Sequence, residues 1–241
     1  MRRDLVLAVV AVLVVSAAAG WWFLLRDDAP PPPDLAVAAE VAVADTASKP
    51  SDVSEIGDLG DPSGTWTVDT TVGQFGLDGA SGTFVGFRVK EVLGQGIGST
   101  TAVGRTPSVE GTVEIDGSTL VKAEIVADLT DLRTDRSMRD SKVQDALNTD
   151  SYPKATFILA EPVDLGVGLQ VQVIALGSLT INGASSQVEV DLVAEVVGQI
   201  LTVVGTTDVQ FIDYGIKAPS APVVVSVEDH GVVEIQLFLT R

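Results

Sequence analysis

From residue 64 onward the chain alternates apolar and polar residues with a period of two, run after run. "VGFRVKEV" (Val85 to Val92), "VEGTVEI" (Val109 to Ile115), "VKAEIVADL" (Val121 to Leu129) and "QVEVDLVAEV" (Gln187 to Val196) all follow this pattern. In "VKAEIVADL" Val121, Ala123, Ile125, Ala127 and Leu129 fall on one face, and Lys122, Glu124 and Asp128 on the other. Successive side chains of a strand point to opposite faces, so the pattern predicts antiparallel strands with one dry and one wet side. Asp116-Gly117 and Asn182-Gly183 are residue pairs typical of tight hairpin turns. About nine or ten such strands predict a closed barrel or a sandwich.

One polar stretch breaks the rhythm: "RSMRDSKVQDALNTDSYPKATF" (Arg136 to Phe157). Ser137 and Asp140 have the spacing of a helix N-cap and an acidic third position. Val143, Ala146 and Leu147 then share one side of a short helix, Asn148 can end it in the left-handed conformation, and Pro153 bars its continuation. The strand "KATFILAE" follows, with Ala155, Phe157 and Leu159 on its inner face. A short helix between two long strands suits the open end of a barrel.

The N-terminus reads differently. Leu5 to Leu25 are 21 residues without a charge, about 31 Å as a helix and so the thickness of a bilayer's hydrocarbon. Trp21 and Trp22 sit near its far end, and Arg2 and Arg3 precede it. Basic residues favour the cytoplasmic side, which predicts a single-pass anchor with the remainder extracytoplasmic. The alternative is a signal peptide cleaved in "SAAAG" (Ser16 to Gly20), giving a secreted protein. Between Asp27 and Ser63 come nine acidic residues, one lysine, six prolines and no aromatic residue. That composition predicts a disordered acidic, Pro-rich linker, either a spacer or a tail. The expected organisation is an anchor over 1–26, a linker over 27–63 and a β domain over 64–241.

Composition narrows the chemistry. A net charge of -18 argues against nucleic acid, whose phosphates need a basic surface. The absence of cysteine excludes disulfides, thiolate metal sites, a cysteine nucleophile and a lipidated N-terminal cysteine. A lone His230 beside Asp229 does not make a zinc site and reads as a turn residue. No G-x-S-x-G occurs, and "DLGD" (Asp58 to Asp61) has too few ligands for calcium. "GQGIG" (Gly94 to Gly98) lacks the lysine and helix of a phosphate loop and reads as a hairpin tip. Glu110, Glu114, Glu189 and Asp191 belong to outward strand faces. No catalytic residue, metal site or cofactor is expected.

Several motifs in order resemble the YceI-like family, whose members are lipocalin-like polyisoprenoid-binding barrels. They are "GTWTVD" (Gly64 to Asp69), "VGFRV" (Val85 to Val89), "AVGRTPSVEGTVEIDG", "RD" at Arg139-Asp140, Leu147, "YPKATF" (Tyr152 to Phe157), "GSLTING" (Gly177 to Gly183) and "DYGI" (Asp213 to Ile216). The likeness spans essentially Gly64 to Arg241. It departs from the family at Lys90, in having no histidine before His230, and in "SKVQDAL" and "NTDS". Polar ligand contacts are therefore not carried over. The resemblance implies an all-β, lipocalin-like antiparallel barrel with a short helix between its middle strands, and no enzyme activity.

The presumed inner positions mix small residues (Gly111, Ala123, Ala127, Ala155, Ala175, Gly177) with larger apolar ones. Such a mixture leaves a greasy cavity or interlocks into a solid core, and the pattern alone leaves both open. The resemblance implies a cavity for a long apolar, isoprenoid-type lipid. Its candidate lining is Val85, Phe87, Val113, Ile125, Ala127, Ala155, Phe157, Leu179 and Ile181. The expected partners are that lipid and, through the N-terminal helix, the membrane. A solid-cored barrel serving as a non-enzymatic envelope interaction module is the alternative.

Overall fold

The structure is a computed structural model that describes residues 29–48, 62–79, 81–93, 98–168, 170–219 and 224–241. The expected anchor, its cleavage alternative, the "DLGD" stretch and most of "GQGIG" lie outside the described residues. Among the described residues no helix is long and apolar enough to cross a membrane.

The strands in chain order are β1 (Gly64–Val68), β2 (Phe84–Leu93), β3 (Gly98–Thr106), β4 (Val109–Asp116), β5 (Thr119–Asp128), β6 (Arg133–Thr134) and β7 (Lys154–Leu159). They continue with β8 (Val163–Asp164), β9 (Gln170–Ile181), β10 (Ala184–Val197), β11 (Ile200–Gln210), β12 (Val224–Val227) and β13 (His230–Thr240). Among the described residues two α-helices accompany them, α1 (Leu35–Ser48) and α2 (Asp140–Leu147). Eight strands close an antiparallel ring in the order β1-β4-β5-β7-β9-β10-β11-β13 and back to β1. The seam is shared: β13 pairs with β1 through Leu239 and Thr240, and with β2 through Val232 to Gln236. The hairpin β2–β3 therefore widens the wall at one end of the barrel.

Local chemistry accounts for the register. Asn182 and Gly183 both take positive φ (51° and 75°), the geometry of a two-residue turn that matches the twist of its strands. That turn sets β9 against β10 from Ile181↔Ala184 to Gln170↔Glu195. The apolar face of β5 departs from the expected parity at one residue. Glu114 pairs with Lys122 but Ile115 pairs with Leu120, so Val121 is the extra residue of a bulge. Leu120 turns inward in its place, while Val121 is 36% exposed. Glu110, Glu114, Glu189 and Asp191 are exposed, as their alternation predicts.

The short helix forms where the sequence places it, and Asn148 ends it in the left-handed conformation (φ 52°, ψ 46°). Its start differs. Ser137 opens a 3-10 turn (Ser137–Arg139) and caps nothing. Asp140 instead turns back to Thr134, whose N–H and Oγ1 donate to its Oδ1 at 2.8 and 2.7 Å.

The expected linker is corrected in part. Within 27–63 the structure holds α1, and the segment 29–48 lies along the outside of the barrel. Asp34 caps the helix, its Oδ1 accepting from Ala36 N–H at 2.9 Å and Val37 N–H at 3.3 Å. Ala38 and Ala42, both fully buried, pack on Val72, Ile200, Val204 and Phe238. Alanine is the best helix former, and two alanines one turn apart let the helix lie close against the sheet. Beside the helix, Pro31 O accepts from Arg105 Nη2 at 2.6 Å and Pro30 O from Arg88 Nη2 at 2.7 Å. Both arginines meet Glu234, Arg105 at 2.8 Å and Arg88 at 3.3 Å. Arg105 and Glu234 are shut off from solvent, although strand parity alone predicts a wet face there.

Candidate functional site

The inward positions of the ring do not fill it. A cavity of about 590 Å³ runs inside, walled by β4, β5, β7, β9, β10, β11 and β13. Its mouth lies among Pro62, the β4–β5 turn at Gly117 and Ser118, and the loop from Leu165 to Gly168, where Val167 is 99% exposed. A second cavity of about 340 Å³ lies toward the other end, under α2 and beside β2, and Val233 lines both. Volumes of this size match those of small-molecule sites, roughly 300–1,000 Å³.

Small residues open this space. Ala123, Ala127, Ala155 and Ala175 are buried and all face the first cavity. Glycine instead makes room for aromatic rings. A Cβ on Gly177 would collide with the Phe157 ring, and one on Gly104 with the Phe87 ring. Phe157 lines the first cavity and Phe87 the second.

The structure distributes the sequence-derived candidates between the two chambers. Val85, Val113, Ile125, Ala127, Ala155, Phe157 and Leu179 line the first. Phe87 and Ile181 line the second. Sequence reasoning missed Leu192, Val203, Ile235 and Leu237, which complete the far wall. The signal was present, because β11 and β13 carry apolar residues on both faces. Parity cannot choose an inner face in such a strand.

Charge holds the closed end. Arg139 Nη2 meets Glu91 Oε2 at 2.6 Å and its Nη1 meets Asp135 Oδ1 at 2.9 Å. Asp135 Oδ1 also accepts from the Val103 N–H at 3.2 Å. Gln144 Nε2 donates to the carbonyls of Leu129 and Thr130, both at 3.1 Å. Val143 and Leu147 then rest on the inner cluster that contains Leu179, Ile181 and Val188. The Arg139-Asp140 pair thus fastens the helix over the barrel, and the paired Arg139 and Glu91 line the second cavity.

Among the described residues no group of three or more His, Asp or Glu could hold a metal. His230 begins β13 rather than occupying a turn, exposed beside Asp229 (3.0 Å) and Glu228 (3.5 Å). Hydrogen bonding with Asp229 raises its pKa above the usual imidazole value.

A closed eight-stranded antiparallel barrel, covered by a helix at one end and apolar within, defines a lipocalin-like fold. The chain belongs to the YceI-like domain family, whose model matches residues 66–239. No curated protein matches it. Among solved structures it resembles a polyisoprenoid binding domain from Saccharophagus degradans, implicated in plant cell wall breakdown. That likeness has 18% identity and a TM-score of 0.52 over 73% of this chain and 97% of that one. BcnA from Burkholderia cenocepacia is similar at 20% identity and a TM-score of 0.48, over 63% of this chain and 95% of its own. The YCEI protein of Campylobacter jejuni is similar at 16% identity and a TM-score of 0.47, over 57% and 84%. At these identities the likeness is one of fold.

Proposed function

We propose that this protein is a non-enzymatic binding protein that holds a long apolar lipid of the isoprenoid type inside its barrel. The observation that carries the reading is the 590 Å³ cavity, walled by Val, Leu, Ile, Phe and Ala side chains. Such a wall offers a chain little besides burial, worth about 0.8 kcal/mol per CH₂ removed from water. A polyisoprenoid binding domain of the same fold supports the choice of ligand class. The charge-free run Leu5 to Leu25, preceded by Arg2 and Arg3, supports an anchored, extracytoplasmic placement beside the membrane that supplies the ligand.

Two measurements test this. Mass spectrometry of organic extracts from the purified protein is expected to find an apolar lipid. Ala127→Trp, placed in the cavity wall, is expected to abolish lipid retention while the ligand-stripped protein unfolds within about 1 kcal/mol of wild type. A close-packed site would instead lose about 1–3 kcal/mol or more. Severe destabilisation of a protein that never carries lipid would favour the interaction-module reading. Membrane placement is tested separately. Full-length protein should stay in the membrane fraction after an alkaline wash, with its domain open to protease from outside. A soluble mature form beginning near Gly20 would establish cleavage instead.

A further inference from the structure

We propose that Thr207 reads an oxygen carried by the ligand, so that the barrel selects an oxygenated apolar chain over a pure hydrocarbon. This rests on the binding reading above and deepens it.

Among the described residues, the inward side chains that β2, β4, β5, β7, β9, β10, β11 and β13 turn to the first cavity are hydrocarbon except at Thr207, while in the second Glu91 is also inward but already paired with Arg139. The other threonines along the first cavity belong to outward positions. Thr206 pairs with the outward Glu234, and Thr156 alternates between the inward Ala155 and Phe157. Ser118 and Glu195 stand near the turns at the mouth, where Ser118 Oγ already donates to Asp164. Thr207 stands deep in the wall and is 7% exposed. It follows Leu201, Val203 and Gly205 on the inward face of β11. Opposite it in register is Val233, the residue common to both chambers. The hydroxyl therefore sits at their junction.

Among the described residues its Oγ1 has no hydrogen-bond partner, and the residue lines the cavity. A hydroxyl facing an apolar cavity without a partner is unfavourable, so most such groups find one. Water does not meet the need well here, because a held water requires two to four polar partners and the neighbouring inward residues are Gly205, Val209 and Val233. A carbonyl, ether or hydroxyl oxygen on a bound chain satisfies the hydroxyl directly. A hydrocarbon leaves it unpaired. Sites built around one hydrogen-bonding group discriminate most strongly against ligands that lack it.

The test loads full-length protein with an unbranched alkane and the positional isomers of the ketone of the same chain length. Bound lipid is extracted and quantified by gas chromatography and mass spectrometry. The wild type is expected to enrich one ketone isomer about fivefold over the alkane, as one hydrogen bond warrants. Thr207→Val, of the same shape without the hydroxyl, is expected to retain both probes at the ratio supplied. Thr207→Ser is expected to restore the enrichment. Equal ratios in wild type and Thr207→Val overturn the inference and leave the lipid-binding reading intact. Retention of neither probe by the wild type overturns both.

Discussion

Asp128 closes β5 and shows how a single side chain shapes the wall. Its Oδ1 accepts from Thr130 Oγ1 at 2.6 Å and Thr130 N–H at 2.9 Å, turning the chain out of the strand that carries Ala123, Ile125 and Ala127. The Thr130 hydroxyl and then its N–H hold the carboxyl below the usual value of 3.8, against an opposing effect of burial and with a lesser contribution from Lys154. A lowered folded-state pKa contributes stability that is present above 3.8 and lost as pH falls through the folded value. In an NMR titration Asp128 is expected to protonate below 3.8, and Thr130→Val to bring its midpoint back up. A wild-type midpoint at or above 3.8 would contradict the turn geometry. Among the residues, the inward direction of the nine cavity candidates was legible because strand parity is local. The bulge at Val121 was not, because a one-residue slip depends on the partner strand.

Among the elements, α2 is held more by polar fastening than by its short apolar side. Arg139 spans Glu91 on β2 and Asp135, and so ties the helix to the β2–β3 side of the wall. Hydrogen bonds to charged groups that are partly shielded contribute about 1.5–3 kcal/mol each. Arg139→Ala is expected to destabilise the protein by about 2 kcal/mol and to speed amide exchange across Asp140–Leu147. The β9–β10 hairpin should keep its protection. Uniform acceleration of both would mean that the helix is no separate lid. The helix itself was legible from Asn148, Pro153 and the spacing of Val143 and Leu147. Its fastening was not, since Glu91 lies 48 residues from Arg139.

At the scale of the whole molecule, the segment 29–48 is part of the fold although it precedes the family match at 66–239. It covers the outer face of β11 and β13 and supplies carbonyls to Arg88 and Arg105. Two arginines share one buried glutamate there, so the proline carbonyls satisfy donors that Glu234 does not take. A chain shortened to begin at Asp61 is expected to remain strand-rich yet to unfold with about 3 kcal/mol less stability, the scale of uncovering a buried charge pair. Urea unfolding of the two lengths decides it. Equal midpoints would make the segment a passenger.

The sequence by itself determined the alternation, the turn at Asn182-Gly183, the short helix and therefore an antiparallel barrel or sandwich. Each of these rests on residues close along the chain. Tertiary structure decided the rest. Ala123, Ala127, Ala155 and Ala175 come from three strands, and only ring closure turns their small side chains into one empty volume. Arg105 and Glu234 sit on positions whose parity predicts water, and become buried because a segment more than 70 residues upstream of Arg105 lies across them. Burial of an outward face is a property of what covers it, and nothing in the alternation of a strand records its cover.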